Sequence, residues 1–476
     1  MTSPAVLSLC LAAALSLPAA AARAGEPGAA TAGFPAHALG NGPRVGKHYQ
    51  LSRWAEDWSA PDPAADGDPF APVKRIPLGG GLGHLTFNGQ LRLRYNGIHA
   101  PGLRDAERID QSLLRAHFGA DLHLGEHLRL YGELTSAHAD GTPDSGTTRN
   151  DLDWLMLFGE VRGTVGGATA GVRVGRQDFT DVSPVLFSRR ESLNVPLTHN
   201  GVRAYAWGAR LRVGAFDLRP TVGRTGRFDD ARSRTERVRG VNASIALDEA
   251  GAHFLDPFAY RYTHTQKQWG PTTGRDRRDT LGLRSWGSAG RWQYDLTVAH
   301  QGGDYAGRDV SAWGVFAKAD AAVGDGALKP RLGLRADYGS GGGSYTGGTL
   351  EAFNYGVGHS PYFADNNYLA PANLIDFAPT LSLQLTPSLR VNMEYALLRR
   401  ADAQDAVYDG AGKAYAGTEA ASGRDVGRLA RLSGNWALSR HLSLSTFVNY
   451  LEAGDVLREA GHRDGFYVAV WGTYTF

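Results

Sequence analysis

The stretch LTFNGQLRLRY (85–95) puts Arg92 and Arg94 two residues apart, on the polar side of an alternating run. The same placement recurs at Arg115, Arg129, Arg173, Arg203, Arg331, Arg335 and Arg390, each between apolar neighbours. A guanidinium stays charged and makes forked hydrogen bonds to carboxylates. Arginines repeated along one face of extended chain therefore suit holding and passing on carboxylate-bearing anions. The sequence offers little for bond-making chemistry. It contains no G-x-S-x-G, no H-E-x-x-H, no phosphate-binding glycine loop and no Cys–His metal spacing. The expectation is a protein that is not an enzyme and needs no cofactor or metal. His117, His123 and His127 read as polar wall groups and not as ligands.

Extended strands must position these arginines. From residue 84 onward the apolar period is two almost throughout. In 85–95 one face is Phe87, Gly89, Leu91, Leu93 and Tyr95; the other is Thr86, Asn88, Gln90, Arg92 and Arg94. Eighteen such segments can be marked. Short links alternate with long ones, the long ones being 97–109, 139–151, 179–199, 266–275, 340–373 and 401–423. That rhythm predicts an all-β, up-and-down transmembrane antiparallel barrel with an even strand number and both termini periplasmic, in the outer membrane of a Gram-negative bacterium. Closure explains the end of the chain. Phe466, Val468, Val470, Gly472, Tyr474 and Phe476 form one greasy face, which a barrel turns to lipid while the last strand pairs with the first.

Composition agrees. Hydrophobic residues make up 42% of the 476 and mean hydropathy is −0.30, too polar for a bundle of membrane helices. The one long apolar stretch, 5–22, precedes Ala22-Arg23-Ala24 and reads as a signal peptide over 1–24, containing the single cysteine, Cys10. Residues 25–83 lack a strand period and read as a periplasmic lead-in segment, with a small plug as the alternative; the barrel then occupies 84–476. A net charge of +2 gives no reason to propose nucleic acid as a partner.

If the apolar face meets lipid, the other face lines a lumen. The registers place there the strand arginines named above, together with Arg162, Arg219, Arg261, Arg284, Lys318, Lys329 and Arg431. The inward acids are Asp121, Glu133, Glu160, Asp217, Asp295, Asp320, Asp337 and Glu394, half as many as the cations. Some arginines would brace the wall against these acids; the surplus favours anions.

Several stretches together resemble the alginate export family of outer-membrane proteins. RWAEDWS, then DPFAPVKRIPL, then LTFNGQLRLRY is similar to the family's opening. VGRQDFTDVSPVLFSRRESLNVPLTHNGVRA (174–204) matches best, through Gly175-Arg176-Gln177, Arg190, Asn194, Gly201 and Arg203. LLRRADAQDAVYDGAGKAY (397–415) and GRDVGRLARLSGNWALSRHLSLSTFVNYLEAGDVL also fit. The resemblance implies a monomeric eighteen-stranded barrel that passes an anionic uronate polysaccharide. It implies a constriction role for Arg176, Arg190, Arg203 and Arg400, and periplasmic secretion proteins as partners. Lipid and lipopolysaccharide would surround the wall, and the barrel-assembly machinery would read the strand ending in Phe476. The chain departs from the family at His199-Asn200, where an aromatic and Asp are usual, and at Arg399, where an aromatic is usual. The alternative is an uptake porin for small carboxylated nutrients, narrowed by loops 179–199 and 340–373 folding inward.

Overall fold

The computed structural model describes residues 49–58, 67–356, 362–363 and 365–476. The expected signal peptide, Cys10 and the first part of the lead-in lie outside these residues. In chain order the strands are β1 (Ile76–Leu78), β2 (Gly83–His99), β3 (Ile109–Leu124), β4 (Leu128–Asp140), β5 (Asn150–Val165), β6 (Ala168–Gln177), β7 (His199–Trp207), β8 (Leu211–Val222), β9 (Ala231–Arg232) and β10 (Glu236–Ala246). They continue as β11 (His253–Trp269), β12 (Thr272–Ala289), β13 (Trp292–Tyr305), β14 (Arg308–Ala322), β15 (Arg331–Gly339), β16 (Leu374–Thr386), β17 (Leu389–Arg399), β18 (Asp425–Ala437), β19 (Leu442–Ala453) and β20 (Gly465–Thr475). β1 and β9 are short additions; the other eighteen form a closed antiparallel barrel. β20 pairs with β19 on one side and with β2 on the other, Phe466 facing His99 and Thr475 facing Gln90. The last residue takes part: Phe476 and Gly89 exchange backbone hydrogen bonds of 2.8 and 3.0 Å, and the Phe476 ring stacks on Phe70 at 4.8 Å.

Links at one end are mostly tight. Gly166 and Gly167 join β5 to β6 with φ of 57° and 82°, the two positive values a two-residue hairpin with the sheet's own twist requires. The other end carries the long segments 100–108, 141–149, 178–198, 223–235, 340–373, 400–424 and 454–464. One expected loop is absent. In place of a loop over 266–275, β11 and β12 run on as a hairpin, Trp269 facing Thr272 across Gly270-Pro271; Gly270, at φ 56°, makes the reversal.

Outward positions form an apolar band bordered by aromatics. Tyr95, Trp313, Tyr338, Phe377, Tyr395 and Tyr450 are exposed toward the long-segment end; Trp292, Trp436 and Tyr474 toward the turn end. Inside, the long segments fold into the barrel and build the largest hydrophobic core. Phe179, Val182, Leu186 and Phe187 pack against inward Phe216, Leu218, Phe258, Tyr260 and Tyr262. Phe179 lies 4.5 Å from Phe216 and Phe187 lies 5.2 Å from Tyr260, centroid to centroid.

This core corrects part of the expected lining. Because the even-numbered residues of β8 and β11 face it, Asp217, Arg219 and Arg261 point outward. Apolar-out, polar-in holds only where lipid is outside and water inside; at this end the inside is packed protein. Lys329 lies in the turn before β15 and not in a strand.

Candidate functional site

The segment 178–198 crosses the lumen. Its two prolines, Pro184 and Pro196, and its lack of alternation keep it out of the wall. Arg92 holds one end, donating at 2.8 Å to the carbonyls of both Glu191 and Leu193. Arg94 donates to the Ser192 carbonyl, and Arg115 to the Glu191 carboxylate. The Asn194 amide reaches the carbonyls of Leu114, His138 and Thr148 at 3.2, 3.1 and 2.9 Å. On the far side Ser183 Oγ meets Thr297 Oγ1 at 3.0 Å, and Arg203 pairs with Asp181 at 3.0 Å. Arg189 faces Glu191 at 3.3 Å and Asp178 at 3.6 Å. Burial would push the Glu191 carboxyl up, but the guanidiniums of Arg115, Arg189 and Arg92 outweigh it and hold it down at about 2.

Below this crossing, residues 49–58 lie against the inner wall. Arg173 stacks over the Trp54 ring at 3.8 Å while pairing with Glu160 at 2.6 Å. Arg129 donates to the Trp54 carbonyl and pairs with Asp121 at 2.6 Å. The Trp54 indole N–H donates to Asp178 at 2.6 Å, tying the lead-in to the crossing segment.

The opposite wall carries an open polar cavity of about 420 Å³ between β13 and β19. Its cations are Lys318, Arg331, Arg335, Arg390 and Arg431; its carboxylates are Asp320, Asp365 and Glu394. Arg335 pairs with Asp376 at 2.6 Å and Glu394 at 3.0 Å, Arg431 with Glu394 at 3.0 Å, and Arg331 with Asp320. Among the described residues Lys318 and Arg390 have no ion-pair partner; Arg390 donates only to Ser382 Oγ, at 3.3 Å.

The sequence-based site residues thus separate. Arg92, Arg94, Arg115, Arg129, Arg173, Arg203, Arg331, Arg335 and Arg390 face the lumen, most of them braced. Arg190 lies on the crossing segment itself, in a left-handed backbone conformation of φ 52°. Arg176 does not face the lumen. The unbroken register of β6 sets it opposite outward Leu157 and Asn200, where it reaches Asp153 at 3.1 Å and fastens the 223–235 segment through Asp230 at 3.6 Å. Arg400 is buried among carbonyls of 401–423, those of Gly423 at 2.9 Å, Asp405 at 3.2 Å, Thr418 and Ala421. It organises that segment and offers nothing to a passing solute. Sequence reading missed Arg278, which pairs with Asp276 at 2.8 Å and donates to the Ala352 carbonyl at 2.6 Å. The parity that puts Arg284 inside puts Arg278 there too.

No curated protein matches the sequence. Solved structures share the fold at low identity. OpdQ of Pseudomonas aeruginosa superposes with a TM-score of 0.57 at 11% identity, covering 82% of this chain and 97% of that one. OccAB4 of Acinetobacter baumannii gives 0.55 at 9%, covering 85% and 99%. A BenF-like porin of Pseudomonas fluorescens Pf-5 gives 0.55 at 12%, covering 84% and 100%. The Alginate export family matches over residues 84–470. With a closed barrel, inward arginines and that match along nearly the whole wall, this chain belongs to the alginate export family and is an outer-membrane channel of a Gram-negative bacterium.

Proposed function

We propose that the channel passes carboxylate-bearing saccharides of the uronate type, handed along the cavity wall between β13 and β19. The observation that carries this is the pair Lys318 and Arg390, lumen cations without an ion-pair partner among the described residues, beside three arginines already engaged with carboxylates. A free cation in a water-filled passage attracts an anion; braced neighbours keep the wall rigid and the contact weak enough to release. Membership of the family supports a uronate polymer as the solute. Two structural features support the membrane orientation, with tight turns and both chain ends periplasmic and the long segments outside: most links at one end are tight, and the start of β2 and the end of β20 meet there.

A second reading, passage of small carboxylated nutrients, is favoured by the crossing segment 178–198, which divides the lumen from Arg92 to Thr297. One experiment weighs the two. The purified protein is placed in a planar bilayer under a KCl gradient, and uronate oligomers of increasing length are added. Anion selectivity with block that strengthens with oligomer length supports polymer passage. Block that is full with the monomer and no stronger with longer chains supports the nutrient reading. Cation selectivity defeats both.

A further inference from the structure

The outer wall carries its own arginine field, over β8 to β12 at the long-segment end. The apolar band ends there on a row that can be followed strand to strand: Ala215, Val241, Ala259, Leu281, His300, Trp313. One outward step further the row reads Asp217, Arg239, Arg261, Asp279. The next holds Arg237, Thr263 and Arg277, with Asp304 at its edge. Arg219, Arg234 and Arg275 complete the patch, which encloses a groove of about 280 Å³. Three of its cations are engaged: Arg237 with Asp217, Arg261 with Asp279 at 2.6 Å, and Arg219 with the carbonyls of Ser233 at 3.3 Å and Glu236 at 3.4 Å. Among the described residues the side chains of Arg239, Arg275 and Arg277 make no ion pair or hydrogen bond.

Two features distinguish this from a solvated rim. Arg239 and Arg261 are direct cross-strand partners; like charges in that relation destabilise a sheet unless an anion lies between them. Elsewhere at this end Arg108 and Arg428 are each matched by one acid, Asp110 at 2.8 Å and Glu452 at 3.3 Å, and outward Arg399 stands alone, with no second cation facing it across the sheet. The patch also stands directly above exposed Leu281 and Leu283, so the surface suits a ligand with anionic charge at the headgroup level and acyl chains below.

We propose that this face binds the phosphate groups of lipopolysaccharide, the guanidiniums forking onto phosphate oxygens while the acyl chains lie on the Val241–Ala259–Leu281 row. The proposal rests on the orientation given above, with the long segments outside. The test measures binding of bisphosphorylated lipid A to the detergent-folded protein by native mass spectrometry. The triple variant Arg239→Gln, Arg275→Gln, Arg277→Gln removes no ion pair and is expected to fold, shown by unchanged single-channel conductance. Its affinity for lipid A is expected to fall about tenfold or more. If the triple variant does not fold, the single variant Arg239→Glu is read in its place. Unchanged lipid A affinity overturns the proposal. So does equal binding of phosphatidylglycerol, which would mean a general anionic-lipid face, or displacement by inorganic phosphate at matched concentration, which would mean a free-anion site. The orientation is tested separately by labelling Pro271→Cys on intact cells with an impermeant maleimide. Labelling only after the cells are broken overturns the assignment to lipopolysaccharide through the orientation, whatever the binding in detergent.

Discussion

The molecule holds two populations of arginine with opposite circumstances. Inside, Arg92, Arg115, Arg173, Arg203, Arg278 and Arg335 are buried, and each is matched by a carboxylate or by carbonyls of a folded-in segment. Outside, over β8 to β12, arginines crowd together, and among the described residues exposed Arg239, Arg275 and Arg277 make no ion pair. A buried cation without a partner is too costly to keep, so enclosure forces pairing; a cation at a lipid–water boundary can wait for its ligand. The lesson is that most lumen arginines are structural braces. Among the described residues the charges without an ion-pair partner are Lys318 and Arg390 in the cavity and Arg239, Arg275 and Arg277 on the outer patch, and these are the charges we assign to solute and lipid.

The strongest blow to that contrast strikes a brace. Glu191→Ala should leave Arg115 enclosed without its carboxylate and cost about 3 kcal/mol, releasing the crossing segment; larger and noisier single-channel currents are the readout, and quiet wild-type currents would mean that Arg115 is no brace. Next comes Arg400→Met, which strands several carbonyls of 401–423 at roughly 1–3 kcal/mol each before relaxation. Limited proteolysis should cut that segment faster while anion selectivity holds. A third test uses pH. Glu191 sits at about 2 in the folded chain, below an unfolded value of about 4.3. Its anchoring is therefore complete above about pH 5 and is lost as pH falls through 4 toward 2. Wild-type current noise should rise over that window, and Glu191→Gln should be noisy at neutral pH already. Neutralising the free lumen cations, Lys318→Gln with Arg390→Gln, should leave thermal stability within about 0.5 kcal/mol and lower the anion-over-cation permeability ratio. The smallest effect belongs outside: Arg239→Gln should change neither stability beyond about 0.5 kcal/mol nor conductance, and be visible only in lipid binding.

Much of the fold was written in the sequence because strand period is local. The period of two marks all eighteen wall strands, and on β2, β3, β4 and β15 the lumen face was legible from the alternation, from Arg92 and Arg115 to Arg335, while on β12 Arg284 was read and Arg278 was not. On β8 and β11 it was misread at Arg219 and Arg261 because the rule assumes lipid outside and water inside. Nothing in the local pattern of YRYTHT tells that Tyr260 and Tyr262 will meet Phe187 and its neighbours.

The sequence by itself determined the period, the greasy outward face, the closing Phe476 and the supply of arginine, since each depends on a residue and those next to it. Only the tertiary structure decided which arginines are spent and which are free. Arg115 meets Glu191 from 76 residues away, Arg176 is drawn to Asp230 across 54 residues of chain, and Arg239 comes to face Arg261 through sheet register. A guanidinium's role is set by what encloses it, and enclosure here is made by segments that return from far along the chain.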